Sequence, residues 1–258
     1  MAIVSIICLI YQSTKLADWV YGSLQRFTPM LSTGEAEFFF VANDATSQVL
    51  SHLDDNGYPY VRNDNEHLSE DDLFAMGIGY PEWMNRVYAG YNVGIAHAKA
   101  ERVLLLNSDN FVSFDWLENL LKHSTRDTVV CSQLVEREVD CRFHRWPTAL
   151  PGNFGKNPDE FDENEFLRFA ADVRRDYWNE TYPGGAYMPC LVYKDTIYEA
   201  GLYPPGNIAG ATFWQIAQYG DMYLYERYRE NGVSHITAKD SVVYHLKEGE
   251  RDETFEVA

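Results

Sequence analysis

Residues 3–10, read IVSIICLI, form a continuous apolar run rich in β-branched side chains. Such a run has no polar face to offer to water, so it fits a strand covered on both sides, as in a sheet flanked by helices. The signal recurs at Phe38-Phe39-Phe40-Val41 and at Val103-Leu104-Leu105-Leu106, with a shorter version at Val129-Val130. Between these runs the apolar residues change to helical spacing: Leu16, Trp19, Val20, Leu24 and Phe27, then Val49, Leu50 and Leu53, stopped by Asn56-Gly57. Val87, Tyr91, Ile95 and Ala98 predict a helix within 83–100, and Trp116, Leu117, Leu120 and Leu121 another. Strands alternating with helices in this order predict an α/β fold, a Rossmann-like and mainly parallel sheet flanked by helices with right-handed crossovers.

Ligands of such sheets sit beyond the carboxyl ends of the strands. Three polar clusters fall there: Tyr11-Gln12, Asn43-Asp44 and Asn107-Ser108-Asp109-Asn110. By itself the last reads first as an Asx-turn closing a strand. A carboxylate leaving a buried strand can equally hold a hard cation such as Mn²⁺ or Mg²⁺.

Beyond residue 141 the alternation fails. Residues 142–183 are rich in Pro, Gly, Asn and acids and read as a loop-rich insertion with one short helix over 166–173. Regular structure is expected again over 185–193, as a helix over 213–229 ended by Asn231-Gly232, and as a short strand over 242–244 leading to His245. Residues 248–258 are mostly charged and read as a loose tail. The expectation is one domain spanning 1–258.

The chain has 258 residues and sets 39 acidic against 21 basic side chains, a formal charge of −18. That balance opposes binding to nucleic acid, which needs clustered Lys and Arg. An anionic ligand stays open where a metal supplies positive charge locally. No stretch approaches the roughly 20 apolar residues of a membrane span, and residues 3–11 lack the basic leader and cleavage site of a signal peptide. Cys8, Cys131, Cys141 and Cys190 show no metal spacing, and reduced thiols in a cytoplasmic protein are the expectation. There is no Gly-x-Gly-x-x-Gly, no phosphate loop ending in Gly-Lys-Ser/Thr and no Gly-x-Ser-x-Gly elbow, against dinucleotide oxidoreductases, common ATPases and α/β-hydrolases.

Residues 91–100, YNVGIAHAKA, running through the apolar strand into Asn-Ser-Asp-Asn, resemble the core signature of the family-2 glycosyltransferases of GT-A fold. In that family an Asn-x-Gly helix precedes a strand ending in Asp-x-Asp. The first strand with Tyr11-Gln12, and Val41-Ala42-Asn43-Asp44-Ala45-Thr46-Ser47, are similar to its first two nucleotide-contacting strand ends. The resemblance covers residues 3–134 in order and continues more weakly to about 247. It implies a nucleotide-sugar-binding half over 1–134 and an acceptor-binding half over 135–247.

Position by position, the resemblance implies that Tyr11, Gln12, Asn43, Asp44, Asn107 and Ser108 bind the nucleotide, Asp44 accepting from the base, expected to be uracil. Asp109 would be the direct metal ligand and His245 a third-ligand candidate, against a partly buried hydrogen-bonding histidine. Asp221, in a segment similar to the family's Glu-Asp pair, would be the base that deprotonates the acceptor, against an acid favoured at a helix N-terminus. Gly184 and Gly185 resemble the acceptor-side loop, and Trp214 is placed with the acceptor on the strength of its ring. Asn107 and Gly220 stand where the family has acids.

The implied activity is hexosyltransferase-like: a single sugar moved with inversion from a UDP-sugar to a carbohydrate hydroxyl, in glycan biosynthesis, with Mn²⁺ or Mg²⁺. The processive Gln-x-x-Arg-Trp signature is absent. The rivals are a non-catalytic nucleotide- or sugar-binding protein on the same fold, favoured by the two missing acids, and a sugar nucleotidyltransferase, which the lack of a Gly- and Arg-rich first loop opposes.

Overall fold

The structure, a computed structural model, describes residues 2–137 and 149–247. The tail over 248–258 and Cys141 lie outside the described residues. The first half runs β1 (Val4–Ile10), α1 (Thr14–Phe27), α2 (Pro29–Thr33), β2 (Ala36–Asn43), α3 (Ser47–Asn56), β3 (Tyr60–Asn63), α4 (Glu70–Ala75), β4 (Ile78–Gly79), α5 (Trp83–His97) and β5 (Arg102–Leu106). Then come β6 (Asn110–Val112), α6 (Trp116–His123), β7 (Thr128–Glu136), β8 (Ala149–Pro151), α7 (Glu163–Asp176), β9 (Thr181–Pro183) and β10 (Cys190–Tyr193). The chain closes with α8 (Lys194–Glu199), β11 (Asn207–Ala209), β12 (Ile216–Gln218), α9 (Gly220–Glu230) and β13 (Ser234–His245).

The main sheet has the order β3-β2-β1-β5-β10-β7-β13-β6. β1, β2, β3 and β5 are parallel, β10 inserts antiparallel between β5 and β7, and β13 runs parallel to β7. This is the GT-A arrangement that the motifs imply. The apolar β1 is buried on both faces: Val4, Ile6, Cys8 and Ile10 pack toward α1 and α6, and Ile7 packs toward α5 and α9. Ser13 and Thr46 cap α1 and α3 by accepting from Leu16 N and Val49 N, and Gly57 ends α3 in the left-handed region.

Four expectations change in the second half, the first being that regular structure expected over 185–193 is confined to Cys190–Tyr193. The helix expected over 166–173 runs from Glu163 to Asp176, because the Asp162 carboxylate caps it and Phe166, Ala170 and Val173 seat its apolar stripe. The helix expected over 213–229 starts only at Gly220; the preceding Ile216–Gln218 pairs instead with β11 in a small second sheet, β12-β11-β4. The strand expected over 242–244 is twelve residues long, interrupted by a register shift between Ala238 and Val242. Polar Lys239-Asp240-Ser241 fills that bulge and hides the strand from a reading of apolar pattern.

Helix α5 reaches the sheet through glycine. A Cβ on Gly94 would lie 2.4 Å from Ile7 Cγ2 and 3.0 Å from Val41 Cγ2, both on buried strands. Asn92 fixes the other side of the helix by donating to Tyr203 O at 3.0 Å and accepting from Tyr203 N at 3.1 Å. Gly94→Val is therefore expected to cost at least about 2 kcal/mol by overpacking, read as a lower urea midpoint with an unchanged slope. An unchanged midpoint would show that α5 has room to retreat.

Candidate active site

Topology brings the carboxyl ends of β1, β2, β5, β7 and β13 to one edge of the sheet, together with the amino end of β10. A cleft of about 800 Å³ opens there, and Tyr11, Asn43, Asp44, Asn107, Ser108, Asp109, Asp221 and His245 all line it. Four further residues of the sequence reading do not. Gln12, Gly184, Gly185 and Trp214 lie outside the lining. Gly185, at φ 125°, has no room for a Cβ beside Thr237 Oγ1, and Thr237 donates to Gly184 O at 2.6 Å, so these glycines serve the close approach to β13.

Strand register builds the most charged corner. His245 and Glu136 are direct partners on parallel β13 and β7, and His245 also faces Asn110 on β6. The imidazole Nδ1 lies 2.7 Å from Glu136 Oε1 and Nε2 lies 3.2 Å from Asp109 Oδ2. Lys247 Nζ completes the row 3.0 Å from Glu136 Oε2. Burial works against a charged His245, yet the adjacent Asp109 charge and the hydrogen bonds to Asp109 and Glu136 outweigh it and raise its pKa to about 10. Burial likewise works to raise Glu136, and the hydrogen bonds from His245 and Lys247 outweigh it, so that carboxyl titrates below its ordinary range.

The same corner can hold a cation. Two cis ligands of a six-coordinate ion bound at about 2.1 Å stand about 3 Å apart, close to the 3.2 Å between Asp109 Oδ2 and His245 Nε2. A carboxylate accepting from the far ring nitrogen is the usual support of a metal-binding imidazole, and Glu136 is so disposed. Among the described residues no group of three or more His, Cys, Asp or Glu forms a metal cluster. The remaining positions of an ion would fall to ligand oxygens and water.

On the β2 side Asp44 takes a left-handed φ of 51° and accepts from Asn65 N at 2.7 Å and Asn65 Nδ2 at 3.0 Å. Asn43 Oδ1 accepts from Asn63 and Asn65, and its Nδ2 donates to Arg86 O. Arg86 stands 3.6 Å from Asp44 Oδ2 and lines the cleft beside it. Asn107 turns its carboxamide oxygen toward Tyr91, whose hydroxyl donates at 2.7 Å.

Asp221 lies in the first turn of α9, where burial raises its pKa despite the hydrogen bond from Met222 N. The neighbouring Gly220 cannot be an acid in this fold, since a Cβ there would come within 2.4 Å of Tyr88 Cε2 and 2.8 Å of Gly206 O. Tyr88 OH accepts from Asp221 N at 3.2 Å. The sequence reading missed Glu136, Lys247, Arg86, Asn65 and Tyr88. Glu136 ends an apolar strand in the same way as Asp109, which was the available signal; the others declare themselves only through pairing.

An α/β sheet of this order, with a cleft at its strand ends, defines the GT-A glycosyltransferase scaffold. Solved structures agree. GalNAc-T7, crystallised with UDP, GalNAc and Mn²⁺, matches with TM-score 0.59 at 15% identity over 95% of this chain and 44% of that chain. S. aureus TarS 1-349 matches with TM-score 0.54 at 14% identity over 95% of this chain and 60% of that chain. The present chain thus spans about half the length of these two. Residues 82–193 match the model of glycosyl transferase family 2. No curated protein matches the sequence. The match includes Asn107, Ser108, Asp109 and Glu136 and ends before Asp221 and His245. Among the described residues no helix is long and apolar enough to cross a membrane.

The raised His245 pKa has a signed consequence. A histidine that holds its proton more tightly when folded adds stability that is complete below its unfolded value, about 6.5. That stability is lost as pH rises toward about 10. The thermal midpoint of metal-free protein should fall from pH 7 to 10, and His245→Gln should remove most of that slope. A slope kept in the variant would remove the imidazolium as its source.

Proposed function

We propose that the chain is a single GT-A domain that transfers one sugar from a UDP-sugar to a hydroxyl of a carbohydrate acceptor, with a divalent cation and with inversion. The supporting observation is convergence: Asp44, Asp109, Asp221 and His245, from four distant stretches, line one cleft. The neighbour that holds UDP and Mn²⁺ adds weight to a nucleotide diphosphate and manganese as first choices. In this reading 1–134 binds the donor and 135–247 the acceptor. The buried thiols of Cys131 and Cys190 favour a cytoplasmic setting.

Asp44 faces the base, with its carboxylate oriented by Asn65; Tyr11, Asn43 and Ser108 complete that side. Asp109 and His245 would hold the cation, with Glu136 fixing the imidazole. When bound, the ion neutralises charge on the departing diphosphate. Asp221 takes the acceptor proton as the glycosidic bond forms, and its raised pKa makes it a better base than an exposed aspartate. Asn107 and Gly220 favour a second reading, a non-catalytic binder of nucleotide or sugar. Turnover separates the two.

A thermal-shift screen of UDP, GDP, dTDP and CMP, each with and without Mn²⁺, is expected to give a shift with one diphosphate that requires metal and disappears in Asp109→Ala. No shift with any nucleotide in well-folded protein would sink the donor site. Because Nε2 must shed its proton to bind a cation, Mn²⁺ affinity should rise with pH. Asp221→Asn is expected to lower turnover by 10² or more, roughly, with donor binding spared. Equal turnover in that variant would remove Asp221 from the chemistry.

A further inference from the structure

Outside the cleft, the small sheet β12-β11-β4 and its borders carry an unusual set of exposed rings. Tyr80 is 46% exposed, Trp83 52%, Trp214 62% and Tyr219 53%. Large aromatic faces left to water on one rim mark a surface that is covered in use. Tyr80 and Trp214 already lie against each other, with centroids 4.8 Å apart, and Phe213 sits edge-on beneath Trp214 at 5.1 Å. Tyr80 and Trp214 are thus held by packing rather than left to swing.

Two connections tie this rim to the cleft. Trp83 belongs to both, since it lines the cleft three residues after Tyr80. The buried Asn207 bridges the other side: its Nδ2 donates to Tyr80 O at 3.5 Å and its Oδ1 accepts from Gly220 N at 3.0 Å. Gly220 precedes Asp221, and Tyr219 is the residue just before the same helix, with no capping hydrogen bond from its side chain. The aromatic rim therefore begins at the proposed base and leads away from it.

We infer that this rim is an acceptor platform, on which an oligosaccharide of more than one ring stacks across Trp83, Tyr80, Trp214 and Tyr219 with one hydroxyl delivered to Asp221. The inference rests on the transferase reading for the role of Asp221 and extends it by the acceptor's class. Tyr and Trp offer an apolar face with a polar edge, the pattern that matches a sugar's C–H face ringed by hydroxyls. Continuity with the cleft favours a substrate over a separate partner protein, which would need no ring inside the cleft mouth.

The test is binding of the labelled chain to a printed array of neutral glycans from one to six residues long, with and without UDP and Mn²⁺. Trp214→Ala and Tyr219→Ala run beside it, both at exposed positions, with circular dichroism to establish that each variant is folded. The expected result is binding that needs at least two sugar residues and weakens about tenfold or more in Trp214→Ala, with the UDP–Mn²⁺ thermal shift unchanged. Equal binding by both variants, or equal binding of monosaccharides, would overturn the platform, as would no binding at all. A wild-type dimer that Trp214→Ala dissociates would assign the rim to a second copy instead. Variant-sensitive glycan binding without any nucleotide shift would support the platform and overturn the donor reading alone.

Discussion

Charge buried at the strand ends is the constraint on which the rest depends. Asp109 and Glu136 leave two strands at a place with almost no access to water, and each would be strongly unfavourable there without a partner. His245 supplies it by standing between them, and Lys247 takes the remaining oxygen of Glu136. The pairing works only if β13 runs parallel to β7 in the observed register, with His245 opposite Glu136. A slip of one residue would turn His245 to the other face and leave both acids uncompensated. The long, bulged β13 is thus held at its far end by electrostatics as much as by its ladder.

Helix α5 is the second organising element. Its glycines let it lie close against β1 and β2, and its tyrosines then reach two parts of the cleft. Tyr91 holds Asn107, and Tyr88 fills the space beside Gly220 while accepting from Asp221 N. Both positions at which the chain lacks an acid expected of family 2 are therefore in contact with a tyrosine of one helix. The substitutions are coupled to packing, and restoring Glu at 220 alone would meet the Tyr88 ring. Asn107 differs: its carboxamide oxygen can accept from Tyr91 without the cost of burying a second charge beside Asp109.

The first half of the fold was legible because its strands are buried on both faces and its helices on one, so apolar pattern carries the assignment. β1, α1, β2, α3, α5 and β5 lie within a few residues of their sequence-read limits. The second half escaped where polar residues sit inside regular structure. Lys239-Asp240-Ser241 broke the pattern of β13, and the polar flanks of α7 hid its full length. Residues of the cleft that terminate strands could be read as such. Glu136 could have been, and was passed over because nothing local marks it as facing His245, 109 residues further on. Asn65 and Arg86 become visible only when β2, β3 and α5 are brought together. Trp214 was chosen for its ring, and its position beside Tyr80 on the second sheet is a fact of tertiary structure alone.

Under the proposed function the same corner would reconcile an acidic chain with an anionic donor. The formal charge of −18 lies mostly outside the cleft, while the cluster at the strand ends balances two carboxylates, Asp109 and Glu136, against two cations, His245 and Lys247. With the imidazole protonated the cluster is neutral and offers a diphosphate little attraction. Exchange of that one proton for a divalent ion would leave it one unit positive in a poorly hydrated place, where a unit charge acts strongly. Under the proposed function the histidine would thus be more than a filler between acids: the proton it carries keeps the corner neutral, and its release would be the local condition for attracting phosphate into an acidic protein.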